Sequence, residues 1–275
     1  MAIDFLPEQK GDMVERVTIT IRADVLKKID RIVKDKQARS RSHAIENLVS
    51  KALNDIDTAL ILGGGNNGQK TMISVHGKPV MEHQINMLKK NGIKKIIVAV
   101  SSADKMKQYF GNGEKFGVNI DYIIEKNPLG TSGALYLSRD LLKSTFAVLN
   151  VDTLMEPGIK EMLEFHRNNN STATMLLVTA DKTENAGVAV MRGNHVVSFM
   201  EKPSKSKSKL VNAGFYIFEP AVLKLAKKKG AMEDTIFPKL AEDNKLCGFL
   251  HDKPIFDVGT AEGYSKAQKE WKDIQ

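Results

Sequence analysis

The sequence contains one cysteine and no long hydrophobic run. A single cysteine, Cys247, excludes an intrachain disulfide framework and is typical of a reducing compartment, so we expect a cytoplasmic protein. Apolar stretches such as residues 58–62 and 96–100 are far shorter than the roughly 18 residues of a membrane-spanning helix, so we expect a soluble chain with no membrane partner. Residues 1–10 have no basic leader followed by an apolar run, so no signal peptide is expected there.

The length and the charge favour a two-part protein. A chain of 275 residues fits two units of unequal size, and 42% hydrophobic with 27% charged residues excludes a disordered or collagen-like chain. The net charge of +8 divides into +3 for residues 1–54 (11 basic, 8 acidic) and +5 for the remainder (30 basic, 25 acidic). Neither part is strongly basic. One local cluster either contacts phosphates or is the solvated end of a helix. It consists of Lys34, Lys36, Arg39 and Arg41.

Residues 16–22 alternate between apolar and polar side chains, a period of two that predicts a half-buried β-strand. Two amphipathic helices are predicted after it, the first capped by Asp24 and the second by Ser42. A unit of about 40 residues with a single strand has little interior and unpaired strand edges, so we expect it to dimerise through the strand. The apolar positions predicted to be buried are Val17, Ile19, Ile21, Val25, Ile29, Ile32, Val33, Ile45, Leu48, Val49, Ala52 and Leu53.

This strand, helix, helix order, with a Thr-Ile-Thr-Ile strand and a basic Arg-Ser-Arg-Ser entry to the second helix, resembles the ribbon-helix-helix DNA-binding family over residues 15–54. The resemblance implies an intertwined homodimer whose paired strands lie in the major groove of double-stranded DNA, and two dimers can pair into a tetramer. A dimerisation module that has lost DNA binding is the alternative, and Gln37 and Ala38 stand where the family often has a glycine. The residues that the resemblance assigns to DNA are Arg16, Thr18 and Thr20 at base edges and Arg39, Ser40, Arg41 and Ser42 at phosphate.

Beyond residue 55, strand and helix patterns alternate. Several predicted strands are apolar on both faces, which indicates a mainly parallel sheet covered by helices, with its ligand at the carboxyl ends of the strands. Hairpins follow residue 185, so we predict an α/β fold with a Rossmann-like doubly wound mixed sheet, preceded by the small dimeric domain. The predicted domains are a flexible tail (1–13), the ribbon-helix-helix domain (14–54) and the larger domain (55–275). The predicted strands are 58–62, 95–100, 120–124, 146–151, 172–178, 188–191 and 196–200, and the predicted helices are 81–91, 102–109, 132–142 and 159–168.

A glycine-rich segment, residues 61–70, follows the first predicted strand of the larger domain. Glycines let backbone N–H groups approach an anion closely and a following lysine neutralises it, so the segment is typical of a phosphate-binding loop. Six further motifs follow in one order along the chain. They are Gly77-Lys78-Pro79, residues 128–134 (PLGTSGA), Asn150-Val151-Asp152, Glu201-Lys202-Pro203, residues 212–216 (NAGFY) and residues 256–260 (FDVGT).

The series resembles the sugar nucleotidyltransferase (NDP-sugar pyrophosphorylase) family over nearly all of residues 57–267. The resemblance implies attack of a sugar 1-phosphate oxygen on the α-phosphorus of a nucleoside triphosphate, giving an NDP-sugar and pyrophosphate with Mg²⁺. It assigns the metal to Asp152 and Asp257 and the sugar phosphate to Lys202, while Lys70 matches the family's Pro-Lys lysine. The residues that it assigns to the nucleotide or the sugar are Leu62, Gly63, Gly64, Gly130, Thr131, Gly187, Glu201 and Asn212.

The glycine-rich loop departs from the family pattern. Family members usually continue it with Gly-Thr-Arg and a later Pro-Lys, whereas residues 65–70 are shortened, contain no arginine and place Gln69 before the lysine. Losing a cationic clamp on a transferring phosphoryl group costs on the order of 10²-fold or more in rate, while nucleotide binding can survive. We therefore predict a DNA-binding transcriptional regulator whose larger domain binds a nucleotide or NDP-sugar. The alternative is an active Mg²⁺-dependent sugar-1-phosphate nucleotidyltransferase whose front module serves for dimerisation or DNA tethering.

The isolated histidines and the cysteine have no pattern that indicates chemistry. The six histidines lack metal-ligand spacing, and Cys247 lies in an apparent strand, so we interpret them as structural. Asp257 is either a turn carboxylate or a metal ligand.

Overall fold

The computed structural model describes residues 17–35, 38–53, 56–64 and 69–272. The chain divides into two compact units, Met1–Asp55 and Ile56–Gln275. Among the described residues, no helix is both long enough and apolar enough to cross a membrane.

In the first unit, an extended segment is followed by two helices, α1 (Ala23–Lys34) and α2 (Arg41–Leu53). An ion pair joins the helices, because Arg41 donates from Nε to Asp30 Oδ1 at 2.6 Å and from Nη2 to Asp30 Oδ2 at 2.8 Å. The guanidinium lowers the pKa of Asp30 through this hydrogen bond. Three small or aliphatic side chains form the buried core of the described part of this unit. They are Ile29, Ala38 and Ala44.

The predicted details of the first unit need correction. Residues 17–22 have no strand assignment, because the strand prediction requires a partner strand that the single chain does not supply. The caps are shifted as well. Helix α1 begins at Ala23 after an extended Arg22, and Ser40, ahead of α2, accepts from the His43 backbone N–H at 3.2 Å.

Four apolar side chains of the first unit remain exposed. Val17 is 75% exposed and Ile19 53%, and on α2 Leu48 is 42% and Val49 46% exposed, although the sequence predicts all four to be buried. The described part of this unit contains two helices and no further helix or strand that could cover these faces.

The second unit contains a nine-stranded mixed sheet covered by helices. Its strands are β1 (Thr58–Leu62), β2 (Ser74–Val75), β3 (Lys78–Pro79), β4 (Lys95–Val100), β5 (Asn119–Ile124), β6 (Phe146–Asn150), β7 (Thr153–Leu154), β8 (Ala173–Thr179), β9 (Gly187–Arg192), β10 (His195–Glu201), β11 (Leu210–Phe218), β12 (Leu246–Leu250) and β13 (Phe256–Asp257). Its helices are α3 (Val80–Lys90), α4 (Asp104–Phe110), α5 (Gly130–Ser138), α6 (Ile159–Asn168), α7 (Met232–Thr235), α8 (Phe237–Glu242) and α9 (Ala261–Glu270), with 3-10 turns at Gln69–Met72, Glu114–Phe116 and Pro220–Lys224.

The strand order of the main sheet is β5-β4-β1-β6-β11-β8-β12-β10-β9. Strands β5, β4, β1 and β6 are parallel to one another, whereas β11 runs antiparallel to both β6 and β8. The predicted α/β mixed sheet is confirmed, and the seven predicted strands agree with the observed ones to within one residue at each end. The predicted helix 132–142 instead ends at Ser138, whose hydroxyl donates to the Ala134 carbonyl.

The parallel half of the sheet is buried on both faces, which explains its continuous apolar strands. Alternate residues of β1 pack in opposite directions, with Ala59 and Ile61 in one hydrophobic core and Leu60 and Leu62 in the other. Helices therefore cover both sides, and the carboxyl ends of these strands meet at one edge of the sheet.

A buried polar cluster joins α6 to the central strands. His166 is 1% exposed, with Nε2 at 3.1 Å from Glu219 Oε1 and Nδ1 at 2.7 Å from Thr174 Oγ1. Because an ionised carboxylate only accepts, Nε2 of His166 is the donor to Glu219. This hydrogen bond from His166, together with one from Thr145, lowers the pKa of Glu219.

We expect the substitution Glu219→Gln to destabilise the protein by about 1 kcal/mol at pH 7, since it removes a charged hydrogen bond from a partly solvated group. The lowered pKa means that this contribution is present above the ordinary glutamate pKa and is lost as the pH falls through the folded-state value. Urea unfolding at pH 7 and at pH 4 measures the difference from wild type, which shrinks at the lower pH. Glu242→Gln, at an exposed pair with Lys239, is the control with little effect at either pH. A penalty for Glu219→Gln that is equal at both pH values contradicts the assignment.

Candidate active site

The glycine-rich segment begins where β1 ends at the carboxyl edge of the sheet. Gly63 donates its N–H to the Ala99 carbonyl of β4 at 2.9 Å, and a Cβ at this position would collide with the Val100 side chain. Only glycine fits so close an approach, so the chain leaves the sheet here with Gly64 facing an open cavity. The loop residues 65–68, where the family pattern is shortened, lie outside the described residues.

Two aspartates from distant parts of the sequence lie side by side at this edge. Asp152 follows β6, and Asp257 ends β13, which pairs with β7 so that Asp257 faces Thr153. The Val258 N–H donates to the Asp152 carbonyl at 2.8 Å, which fixes the two segments together. Partial burial and the like charge of Asp152 raise the pKa of Asp257, whereas the Gly259 N–H, at 2.9 Å from Asp257 Oδ1, and Lys70 lower it. A cation bound beside the two aspartates would therefore stabilise the charged form of both carboxylates.

Lys70 supplies positive charge to this pair of aspartates. It lies in the 3-10 turn Gln69–Met72, and its Nζ donates to Asp152 Oδ2 at 2.6 Å. The hydrogen bond to Asp152, with the charges of both aspartates, raises the pKa of Lys70. The ammonium group therefore stays charged beside the two carboxylates at neutral pH.

A buried amide holds the turn that carries Asp152. Gln84, on α3, is 2% exposed, and its Nε2 donates to the carbonyls of Asn150 at 2.8 Å and Thr153 at 2.9 Å. Two carbonyls flanking Asp152 are thus tied to one helix, which fixes the direction in which the aspartate leaves the strand.

A smaller cavity of about 290 Å³ opens between the ends of β1, β4 and β6 and the start of α5. Glu125, directly after β5, is 8% exposed, lines this cavity and accepts from the Leu129 N–H through Oε2 at 2.9 Å. Gly130 has a φ of 78°, and a Cβ there would meet the Gly230 carbonyl, so the wall tolerates only glycine. The predicted site residues that line this cavity are Leu62, Gly64, Lys70, Gly130, Thr131 and Asp152.

A larger cavity of about 750 Å³ lies on the other side of Asn150 and Asp152, which belong to the walls of both cavities. Glu233 lines it beside Glu201, and burial followed by the charge of Glu233 raises the pKa of Glu201. Asn212 donates from Nδ2 to the Tyr216 hydroxyl at 2.7 Å. The predicted site residues that line this cavity are Asp152, Gly187, Glu201, Asn212 and Asp257.

Two predicted site residues are placed differently. Gly63 packs against β4 and is not among the residues that line either cavity. Lys202 is also outside both walls, with its Nζ 3.7 Å from Glu201 Oε1 and its side chain 63% exposed. Its backbone has a φ of 44°, an uncommon conformation for a lysine.

The residues predicted to contact DNA belong to the first unit. Arg41 is engaged by Asp30, and Arg16 lies outside the described residues. The others are exposed, and they are Thr18, Thr20, Arg39, Ser40 and Ser42.

Three polar residues at the site were not predicted from the sequence. Gln84 and Glu233 lie outside the quoted motifs, and their roles depend on contacts with residues far away in sequence. Glu125 had a usable signal, because it directly follows a predicted strand and stands three residues before Pro128.

The donor set fits a magnesium ion that relies on its substrate for further ligands. Asp152 and Asp257 offer carboxylate oxygens, which a hard cation prefers, and the described residues contain no group of three or more His, Cys, Asp or Glu side chains suited to a metal. Mg²⁺ commonly binds through one or two carboxylates plus phosphate oxygens and water, so two aspartates at the junction of two cavities are compatible with it.

A family model for nucleotidyl transferases matches residues 59–274. The chain is 32% identical over 71% of its length to mannose-1-phosphate guanyltransferase of Hypocrea jecorina, and 33% identical over 71% to mannose-1-phosphate guanylyltransferase catalytic subunit beta of Danio rerio. In both cases it spans 56% of the length of the relative. A crystal structure of HddC from Yersinia pseudotuberculosis complexed with GMP-PN superposes with a TM-score of 0.69 at 26% identity, covering 79% of this chain and 100% of that one.

These similarities correct the predicted function. The interpretation as a DNA-binding transcriptional regulator is wrong, because the relatives are named as sugar-1-phosphate nucleotidyltransferases and no comparison supports DNA binding. The predicted resemblance of the larger unit is confirmed, whereas the ribbon-helix-helix assignment of the first unit stays a prediction. With a family match that covers nearly all of the second unit, the chain belongs to the nucleotidyl transferase family.

Proposed function

We propose that the protein is an active sugar-1-phosphate nucleotidyltransferase that forms an NDP-sugar and pyrophosphate. One observation carries the proposal: Lys70, Asp152 and Asp257 converge where the smaller and the larger cavity meet. A nucleotide in one cavity and a sugar phosphate in the other would bring their phosphates to this point. Phosphoryl transfer needs positioning and charge neutralisation more than covalent help, which Lys70 and a metal ion held by the two aspartates would supply.

Asp152 and Asp257 are the residues that would hold Mg²⁺. The ion would neutralise charge on the phosphate oxygens when it is bound. The Gln84 amide holds the turn that carries Asp152, the Val258 N–H holds the Asp152 carbonyl, and Lys70 donates to its carboxylate. Asp257 is oriented by the Gly259 N–H.

Lys70 is the cation that the glycine-rich segment 61–70 retains, although the segment contains no arginine. Its raised pKa keeps the ammonium charged, and its position in the wall of the smaller cavity suits the phosphates of a nucleotide. Lys202 is partly free to approach a sugar phosphate, since its side chain is exposed and its ion pair with Glu201 is a loose 3.7 Å.

The sugar would bind in the larger cavity. Its wall offers the Glu201 and Glu233 carboxylates and the Asn212 amide, groups that pair with hydroxyls. The names of the relatives favour mannose 1-phosphate as the sugar phosphate.

We expect the purified full chain, given GTP, mannose 1-phosphate and Mg²⁺, to release pyrophosphate and form GDP-mannose. Asp152→Asn should lower kcat/KM by about 100-fold or more, because it removes a charge from the centre of the site. A coupled pyrophosphate assay and chromatography of the nucleotide sugar measure both effects.

Asp181→Asn is the matched control, since Asp181 is an exposed aspartate that pairs with Lys209 at the surface. It should leave the rate unchanged. If a folded protein that binds GTP forms no product with any sugar 1-phosphate tested, the proposed activity is wrong.

Glu125 supports guanine as the base. An ionised carboxylate only accepts hydrogen bonds, and the guanine Watson–Crick edge is the one that presents two adjacent donors, N1–H and N2–H₂. With Oε2 already used by the Leu129 N–H, the carboxylate has a fixed orientation in the smaller cavity. Uracil presents a single donor between two acceptors, which the carboxylate would repel.

We expect Glu125→Gln to reduce the preference for GTP over UTP by about 100-fold, because the amide places a donor where guanine also donates. The ratio of kcat/KM values for the two nucleotides measures this. Glu114→Gln changes an exposed carboxylate of the same unit and should leave the ratio unaltered. An unchanged ratio in Glu125→Gln would exclude Glu125 from base recognition.

The first unit would pair with a second copy of the chain. Its described core contains only three buried side chains, and Val17 and Ile19 alternate with exposed threonines along an extended segment. Antiparallel pairing of residues 17–22 from two copies would satisfy their backbone groups and cover these side chains together with Leu48 and Val49.

We expect the full chain to sediment as a dimer or a larger even-numbered assembly, and Ile19→Lys to weaken dimerisation by at least about tenfold because it would bury a charge. Thr20→Lys places the same charge on the opposite face of the segment and should leave assembly intact. Analytical ultracentrifugation over a concentration series measures both. Equal weakening by both substitutions, or a monomeric wild type, contradicts this pairing.

A further inference from the structure

Residues 227–233, here called the strap, run across the start of α5 and are tied to it by hydrogen bonds. The Gly230 N–H donates to the Leu129 carbonyl at 2.8 Å, and the Ser132 N–H donates back to the Gly230 carbonyl at 3.0 Å. The Lys227 N–H donates to Ser132 Oγ at 2.9 Å. Because Gly130 has no Cβ, the strap lies against its backbone. The strap and the start of α5 therefore form one rigid piece.

Thr131 is the polar junction of this piece. Its hydroxyl donates to Glu233 Oε2 at 2.9 Å and accepts from the Met232 N–H at 2.8 Å. The one hydroxyl proton and an acceptor lone pair are thus both used, which fixes the rotamer of Thr131 and the carboxylate of Glu233 together.

This junction lies between the two cavities. Thr131 lines the smaller cavity, and Glu233 lines the larger one. In the wall of the smaller cavity, Glu125 also accepts from the Leu129 N–H, and the Leu129 carbonyl accepts from the Gly230 N–H of the strap. A continuous set of hydrogen bonds therefore runs from the nucleotide side of the site to the sugar side.

Glu233 needs such a support. It lies near Glu201, and the charges of Glu233 and Asp234 help to raise the pKa of Glu201, so repulsion would turn Glu233 away if its carboxylate were not held. The Thr131 hydroxyl supplies this support by donating to the Glu233 carboxylate, and Thr131 also lines the smaller cavity.

Building on the proposed function, we infer that the Thr131–Glu233 hydrogen bond couples the two substrate cavities. A nucleotide that contacts Gly130 and Thr131 moves them together with the strap as one piece, the strap sets the position of Glu233 in the wall of the larger cavity, and the sugar 1-phosphate then binds more tightly. Thr131 and Glu233 act as positioning residues for the second substrate. By thermodynamic linkage, the sugar phosphate must tighten nucleotide binding by the same factor.

The test measures binding without turnover. Isothermal titration calorimetry of the full chain with mannose 1-phosphate and Mg²⁺ is done with and without guanosine 5′-(α,β-methylene)triphosphate, whose α–β bridge cannot be cleaved. We expect the analogue to lower the Kd of mannose 1-phosphate by about tenfold in the wild type. Thr131→Val, which keeps the shape and removes the hydroxyl, should bring this ratio close to one.

Two matched variants separate coupling from a general loss of structure. Thr131→Ser keeps the hydroxyl and should keep the ratio, and Glu233→Gln keeps an acceptor oxygen and should retain most of it, whereas Glu233→Ala should lose it. A merely structural role would weaken each ligand alone and leave the ratio unchanged. If Thr131→Val does not fold, the comparison of Glu233→Ala with Glu233→Gln decides.

The outcomes distinguish the two proposals. A wild type that forms GDP-mannose but has the same ratio as Thr131→Val or Glu233→Ala overturns the coupling and leaves the proposed function intact. A folded wild type that binds neither ligand and forms no product overturns both.

Discussion

The candidate site depends on one buried amide. Gln84 donates to the carbonyls on either side of Asp152 and so fixes the turn after β6 against α3. That turn meets β13 through the Asp152 carbonyl, and β13 carries Asp257. Two mutually repelling carboxylates are held together by backbone and amide hydrogen bonds, and Lys70 reduces the repulsion. Without the fixed turn, the aspartates would separate and the charge pattern between the two cavities would be lost.

The carboxylates in the wall of the larger cavity suit the hydroxyl groups of the proposed sugar ligand. Glu201 and Glu233 repel each other, so each gains from a hydroxyl that donates to it. In the proposed complex, the phosphates would lie apart from these two carboxylates, at the junction where Lys70 lies. The hydroxyls of a sugar phosphate would thus lie beside Glu201 and Glu233, and its phosphate would lie near Lys70. This pattern defines the orientation in which a sugar phosphate could enter.

Local patterns predicted the second unit well, because strands such as β1 and β4 are buried on both faces and read as unbroken apolar runs. The first unit was predicted less well. Leu48 and Val49 fit a buried helical stripe, yet in one chain they are exposed, since burial depends on a surface that the pattern does not contain. At the site, glycines and aspartates in motifs were visible in the sequence. The Thr131–Glu233 contact joins residues 102 positions apart, and no local pattern encodes that distance.

The antiparallel β11 has a consequence for how the protein is made. The chain closes its site with segments that are synthesised last: β11 lies beside β6, β12 is inserted beside β8, and β13 brings Asp257 to Asp152. Parallel strands β1, β4, β5 and β6 can pair as soon as residue 150 has left the ribosome, but the aspartate pair waits for residue 257. A nascent chain therefore holds an unfinished sheet with an open β6 edge, so any factor that protects this chain during translation should act on that edge until β11 arrives.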